Sequence, residues 1–308
     1  MNYKILIVVS LVMIIVGGIF SVSMRSYIHT YDTEWEGILS DEKKQNKSNK
    51  IFLIGSSGIY PIDALQINQY FDKTQKDFEI YNLADVADNP KKRLDSIENI
   101  LKNKPTIVIF GLGMLEFEKN KKLDYDYWEY ILYPKQIKNK IFETSIDPLI
   151  NDIQTSPKER HLTLIKNSLF GPDQKYHPFV NHSPTNISKL EIIEGPNHEL
   201  DMSTSSENVI ALTKIVNILQ ENKIKVVLVT NPYSDVQLQK IPNNEINKFE
   251  NFFNTFSKEN NISSYFLHEK YSKLDIWRDP SHIAIHPDAK IYTDDVTKII
   301  TKEIKDVI

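Results

Sequence analysis

The chain contains no cysteine among its 308 residues. This absence excludes disulfide bonds, a thiol nucleophile and cysteine-ligated metal sites. A positive charge excess is also lacking, since 37 Lys and Arg stand against 41 Asp and Glu for a formal net charge of −4. Nucleic acid is therefore not expected as a partner. Glycine is scarce, and no Gly-x-Gly-x-x-Gly spacing occurs, which argues against a nucleotide-binding α/β domain and predicts no cofactor.

The amino-terminal end carries one long uncharged segment, from Ile5 to Ser23. At the rise of an α-helix this segment is about 28 Å long, close to the hydrocarbon thickness of a bilayer. Residues 1–25 are therefore predicted to form a transmembrane signal anchor. A cleaved signal peptide is the alternative, because the small residues Gly17, Gly18, Ser21 and Ser23 lie near the end of the apolar run. In either case the main domain is expected outside the cytoplasm, with the membrane as a partner through the anchor.

The segment after the anchor, residues 26–50, is predicted to be a polar linker. Its second half, from Ser40 to Lys50, is charged and has no apolar period, as is typical of exposed connections. The folded domain is expected to span residues 51–308 and to contain an insertion at about 118–201.

Apolar runs alternate with helical patterns along this domain. Short runs typical of buried strands begin at Ile51, Phe78, Thr106, Lys225 and Ser263, and helical patterns cover Ile59–Phe71, Pro90–Leu101 and Asn208–Asn222. This alternation predicts an α/β fold, a three-layer α/β/α arrangement with a parallel sheet covered on both faces.

A candidate nucleophile lies directly after the first strand, in the run IFLIGSSGIY from Ile51 to Tyr60. Loops at the carboxyl edge of a parallel sheet are where such folds bind ligands, and small residues there leave a serine hydroxyl exposed. Ser57 is the predicted nucleophile, and Ser56 remains an alternative. Ordinary turn chemistry explains the same residues without any catalytic role.

A candidate base lies near the other end of the chain, in the sequence Asp279-Pro280-Ser281-His282. An acid three residues before a histidine can orient an imidazole, and a serine hydroxyl needs such a base to become a nucleophile. The alternative is that His282 only caps the last helix or binds a backbone carbonyl.

An early strand with Gly55-Ser56-Ser57 and a late Asp-x-x-His block together resemble the SGNH (GDSL-like) hydrolase superfamily. The resemblance implies a flavodoxin-like fold, with Ser57 as nucleophile, His282 as base and Asp279 as its orienting acid. It also implies oxyanion or substrate roles for residues at the ends of the first three strands, namely Gly55, Ala87 and Gly113.

Two positions depart from the family pattern. Ala87 stands where the second block of the family has glycine, and Leu115 stands where the third block has an asparagine that donates to the oxyanion. Such departures are similar to a divergent, membrane-anchored branch that includes the D-alanyl transfer protein of teichoic acid and the alginate O-acetylation proteins.

This branch implies a membrane-anchored esterase or O-acyltransferase that acts on acyl esters of a cell-surface glycan. The alternative is a catalytically degenerate domain that binds surface polysaccharide or a membrane acyltransferase partner.

No metal site is expected. His282 and His286 are four residues apart, but Pro280 and Pro287 argue against the helix that would make this spacing a ligand pair. His177, His182 and His198 have no ligand spacing and are interpreted as loop or substrate-facing residues. The insertion begins with an aromatic run, which is interpreted either as a platform for sugar stacking or as a helix face in the core: Tyr125, Tyr127, Trp128, Tyr130 and Tyr133.

Overall fold

A computed structural model of the chain describes residues 49–85, 88–119, 183–190 and 199–306. The predicted anchor, the linker up to residue 48, the aromatic run of the insertion and Ala87 lie outside these ranges, as do the three histidines of the insertion. Within these ranges, no helix is both long enough and apolar enough to cross a bilayer.

Five parallel strands form the central sheet. In chain order they are β1 Asn49–Gly55, β2 Phe78–Asn82, β3 Ile107–Leu112, β4 Lys225–Thr230 and β5 Ser263–Tyr265. Their order across the sheet is β2-β1-β3-β4-β5, and each neighbouring pair is parallel. The predicted parallel sheet is confirmed, and its order is the one found in flavodoxin-like folds. β1 begins at Asn49, two residues before the expected start of the domain.

Helices connect and cover these strands. They are α1 Ala64–Lys73, α2 Pro90–Asp95, α3 Ile97–Asn103, α4 Glu207–Glu221, α5 Asp235–Leu238, α6 Asn243–Glu259 and α7 Ile291–Glu303. Short 3-10 turns cover Met114–Phe117, Ile187–Lys189, Pro287–Ala289 and Ile304–Asp306.

Two of these helices differ from the sequence-based expectation. The pattern from Pro90 to Leu101 predicts one helix, but the structure breaks it at Ser96, whose hydroxyl donates to the carbonyl of Arg93 at 3.1 Å. A serine that binds nearby backbone competes with the helical hydrogen bonds. The first helix begins at Ala64 instead of Ile59, because the Asp63 carboxylate accepts the N–H of Gln66 at 3.0 Å and caps the helix there.

Alternate residues of the strands face opposite sides of the sheet. On one side, Ile51, Leu53 and Ile109 belong to a core cluster that also includes residues of α1 and α7. The intervening residues of β1 and β3, among them Phe52 and Phe110, are fully buried as well. The strands are therefore covered on both faces, which leaves their carboxyl ends as the place where loops reach solvent.

The insertion leaves and re-enters the domain at one place beside this edge. The N–H of Lys119 donates to the carbonyl of Glu199, and the N–H of Asp201 donates to the carbonyl of Phe117, both at 2.7 Å. A described stretch inside the insertion, 183–190, reaches a hairpin near the chain's end, since the N–H of Thr185 donates to the carbonyl of Trp277 at 2.7 Å.

Candidate active site

Ser57 lies in the turn that follows β1, and Gly55 makes the start of that turn. Gly55 has a φ of +140°, and a Cβ there would lie 2.3 Å from the carbonyl oxygen of Gly111 on β3. Both the backbone angle and the close approach of the two strands therefore require glycine. The carbonyl of Gly55 also accepts the N–H of Asp85 at 3.0 Å, which ties the turn to the loop after β2.

His282 and Asp279 lie on a hairpin made of two short antiparallel strands, β6 Trp277–Asp279 and β7 His282–Ile283. The turn between them is held by the N-cap residue of α5, because the hydroxyl of Ser234 donates to the carbonyl of Pro280 at 2.7 Å. The imidazole Nδ1 of His282 lies 2.8 Å from Asp279 Oδ1 and 3.0 Å from Oδ2. The hairpin thus brings the acid and the imidazole together within three residues of sequence.

The carboxylate of Asp279 has further donors. Oδ1 accepts the N–H of Ser281 at 3.0 Å, and Oδ2 accepts Nε–H of Arg278 at 3.1 Å. Burial alone would raise the pKa of Asp279. The hydrogen bond and charge of His282, together with Arg278 and the Ser281 N–H, outweigh burial and hold this pKa well below its ordinary value. Asp279 is therefore a carboxylate at neutral pH.

The hydroxyl of Ser57 completes the arrangement. Its Oγ lies 2.6 Å from His282 Nε2, the ring nitrogen that faces away from Asp279. When Nδ1 carries the ring proton and donates a hydrogen bond to the carboxylate, Nε2 carries the lone pair and accepts a hydrogen bond from the serine hydroxyl. An imidazole so placed can take the serine proton as the oxygen attacks an electrophilic carbon. The structure brings together the three side chains that the sequence predicts as nucleophile, base and orienting acid.

Ser56 has a different environment. Its hydroxyl donates to Glu116 Oε1 at 2.5 Å and accepts from Asn231 Nδ2 at 3.0 Å. In the part of the chain that is described, no contact links this hydroxyl to His282.

Two neighbouring backbone groups are available at the nucleophile. Within the described ranges, the N–H groups of Ser57 and Gly58 make no hydrogen bond. Free backbone N–H groups beside a nucleophile are suited to an oxyanion. Ala87 lies outside the described residues, so the structure says nothing of its expected role.

Gly113 lies against buried side chains. A Cβ at this position would come within 2.2 Å of the Tyr233 hydroxyl and 2.7 Å of Glu116 Oε2. The N–H of Leu115 donates to the same hydroxyl at 3.4 Å. Burial, and after it the charge of Glu116, raises the pKa of Tyr233 well above its ordinary value, so the phenol stays protonated.

Sequence reasoning missed the contributions of Glu116, Asn231 and Arg278. Asn231 is the first residue after β4 and Arg278 precedes Asp279, so their places in the sequence give a weak indication that they lie near the site. The place of Glu116 in the sequence gives no such indication, because its role depends on contacts with residues 60 and 115 positions away.

Metal ligation finds no support in the described part of the chain. There, no group of three or more His, Asp or Glu side chains is arranged to hold an ion. His286 instead caps a short turn, since its Nδ1 accepts the N–H of Asp288 at 3.2 Å.

Comparison with known proteins adds solved structures of low similarity. No known family model matches the chain, and no curated protein matches it. The esterase EstA of Pseudoalteromonas sp. is 13% identical with a TM-score of 0.44, over 84% of this chain and all of that one. TesA is 9% identical with a TM-score of 0.46, also over 84% of this chain and all of its own. A GDSL-like lipase of Bacteroides thetaiotaomicron is 8% identical with a TM-score of 0.43, over 89% of this chain and 98% of that one. Similarity of this degree does not identify a family.

Proposed function

We propose that this chain is an SGNH-like serine esterase or O-acyltransferase with Ser57 as nucleophile, His282 as base and Asp279 as orienting acid. The observation that carries the proposal is the continuous contact from Ser57 Oγ through the imidazole of His282 to the carboxylate of Asp279, with distances of 2.6 and 2.8 Å. This arrangement is the one that acyl transfer through a serine requires.

The reaction has two halves. In the first, Ser57 Oγ attacks the carbonyl carbon of an ester while His282 Nε2 takes the hydroxyl proton. The N–H groups of Ser57 and Gly58 meet the oxyanion that forms. His282 then returns the proton to the departing alcohol oxygen, which leaves the acyl group on Ser57.

In the second half, a water or a second alcohol attacks the acyl-serine. His282 takes the proton of the attacking oxygen and passes it to Ser57 Oγ as the acyl bond breaks. Water gives a carboxylic acid, and a sugar hydroxyl gives a new ester, so the same site serves an esterase and an O-acyltransferase.

The proposed setting is the outer side of a membrane, and the proposed substrates are acyl esters of a cell-surface glycan. The uncharged run from Ile5 to Ser23 supports the anchor. The departures at Ala87 and Leu115, which resemble the membrane-anchored branch, support the substrate class. A tag at Ile308 should be removed by protease added to intact cells. A tag that survives while a cytoplasmic marker also survives contradicts this orientation.

A catalytically degenerate domain is the second candidate. It is favoured by Leu115, whose side chain has no donor for an oxyanion at the position where the resembled family has asparagine. Loss of one such donor lowers rates by about a hundredfold to a thousandfold. Such a domain would bind surface polysaccharide or a membrane acyltransferase partner.

Labelling with a fluorophosphonate separates these two candidates. The full chain in detergent is treated with the probe, and the labelled peptide is identified by mass spectrometry. We expect the label on Ser57 in wild type, its loss in Ser57→Ala and His282→Ala, and its retention on Ser57 at a reduced rate in Ser56→Ala. A folded wild-type chain that takes no label contradicts the esterase proposal and favours the binding domain.

A further inference from the structure

Ser57 is held from two sides. His282 contacts its hydroxyl from the carboxyl-terminal hairpin, whereas a network of Ser56, Glu116 and Asn231 holds the backbone on either side of it. This network brings together the carboxyl ends of β1, β3 and β4.

Glu116 lies at the centre of the network. Its carboxylate is buried on the 3-10 turn Met114–Phe117, with 7% of the residue exposed. Oε1 accepts from the hydroxyl of Ser56 at 2.5 Å and from Asn231 Nδ2 at 3.2 Å. The turn itself is held by Asn208 of α4, whose Nδ2 donates to the carbonyl of Glu116 at 2.6 Å. Hydrogen bonds to a carboxylate are stronger than those between neutral groups.

Asn231 closes the network on both neighbours of Ser57. Its Nδ2 donates to Ser56 Oγ at 3.0 Å as well as to Glu116. The same amide lies against Gly58, where a Cβ would come within 2.6 Å of Asn231 Cγ. Ser56, the residue before Ser57, is therefore hydrogen-bonded to Glu116 and Asn231. Gly58, the residue after it, packs against Asn231.

The Nδ2 group of Asn231 donates to two acceptors, Ser56 Oγ and Glu116 Oε1, which themselves lie 2.5 Å apart. Asn231 therefore joins the end of β4 to the turn that carries Ser57.

We propose that Glu116 is a positioning residue for the nucleophile, acting through Ser56 and Asn231. The inference rests on the proposed function, since it concerns the reactivity of Ser57. A reacting group must be held within a fraction of an ångström, and a misplacement of about 1 Å can lower a rate by about a hundredfold. Removal of the Glu116 carboxylate takes away an acceptor from both the Ser56 hydroxyl and Asn231 Nδ2, so the turn that carries Ser57 loses its side-chain bond to the segment after β3.

The test compares Glu116→Ala, Glu116→Gln and Ser56→Ala in the full chain. The measurements are kcat and KM for p-nitrophenyl acetate and the rate constant of fluorophosphonate labelling. We expect Glu116→Ala to lower kcat and the labelling rate by about tenfold to a hundredfold, with KM changed by less than about threefold. Glu116→Gln keeps an acceptor oxygen in the same place, so its kcat and labelling rate should fall less than those of Glu116→Ala.

A double variant tests the route of the effect. If Glu116 acts through Ser56, the double variant Ser56→Ala with Glu116→Ala should lower kcat and the labelling rate no more than Glu116→Ala alone, because both changes break the same contact. Full additivity of the two losses contradicts action through Ser56.

Glu303→Ala is the matched control. Glu303 is also a buried carboxylate that accepts from a serine, Ser263. That serine begins β5 and so lies at the amino ends of the strands, whereas Ser57 lies at their carboxyl ends. Its loss should lower the melting temperature and leave kcat unchanged.

The outcomes distinguish failure of the positioning role from failure of the esterase proposal. A wild-type kcat in Glu116→Ala, or an equal loss of kcat in Glu303→Ala, overturns the positioning role and leaves the esterase proposal intact. A wild-type chain with no reactive serine overturns both. If Glu116→Ala does not fold, wild-type kcat in both Glu116→Gln and Ser56→Ala overturns the positioning role.

Discussion

Ser57 and His282 are 225 residues apart in the chain, and the serine Oγ lies 2.6 Å from the imidazole Nε2. Ser57 follows β1, an inner strand of the sheet, and His282 lies on a hairpin that comes after the edge strand β5 in the chain. The carboxyl ends of parallel strands meet at one edge of a sheet, which brings these distant segments together. The contact therefore depends on the correct assembly of the whole sheet.

Asp279→Asn should lower kcat by about a hundredfold to ten-thousandfold, because an amide can donate to His282 Nδ1 and so favour the wrong tautomer of the ring. The measurement is kcat for p-nitrophenyl acetate in the full chain. Asp288→Asn is the control, since Asp288 lies on the next turn with 76% of its side chain exposed and contacts His286 instead. Wild-type kcat in Asp279→Asn would show that this carboxylate does not orient the base.

Asp279 should also contribute to stability in a pH-dependent way. Its pKa is lowered in the folded chain by His282 and Arg278, which outweigh the opposing effect of burial. The ionised carboxylate therefore stabilises the fold above the ordinary aspartate pKa of about 4, and this stabilisation is lost as the pH falls toward the lower folded value.

Urea unfolding of wild type and Asp279→Asn between pH 6 and pH 3 tests this expectation. The difference in free energy of unfolding between the two chains should be largest at pH 6 and should narrow below about pH 4. A difference that stays constant over this range is the contrary result.

Arg93→Met should lower the free energy of unfolding by about 3–5 kcal/mol, because it leaves the Asp88 carboxylate buried without its partner. The two side chains are only 6% and 1% exposed, and Arg93 Nε donates to Asp88 Oδ2 at 2.8 Å. Arg93 also donates to the carbonyl of Leu83 at 3.1 Å and so holds the loop that binds Gly55.

Urea unfolding measures this effect, and two further variants control it. The double variant Arg93→Met with Asp88→Leu should be less destabilised than Arg93→Met alone, since no charge is left buried. Lys91→Met breaks an exposed ion pair with Glu207 and should change the free energy by less than about 1 kcal/mol. Equal losses of free energy of unfolding in Arg93→Met and Lys91→Met would contradict the expectation that burial of the Arg93–Asp88 pair makes its loss costly.

The inner strands of the sheet, β1, β3 and β4, were predictable because each contains a short, continuous apolar run. TIVIF and KVVLV have this form, and both lie in buried strands, β3 and β4. The helices were predicted less accurately, since their ends depend on single polar side chains. Asp63 delays the first helix and Ser96 divides the second pattern, and neither effect changes the apolar period.

The amino-acid sequence by itself determined the strand and helix pattern, the absence of thiol chemistry and the choice of Ser57, Asp279 and His282 as candidates, because each of these is written in local order or composition. Only the tertiary structure decided that Ser57 and His282 touch, that Ser56 binds Glu116, and that Asn231 packs on Gly58. These contacts join residues from different strand ends, and their distances follow from how the sheet packs. Local sequence carries no record of such packing, since the same side chains in another strand order would not meet.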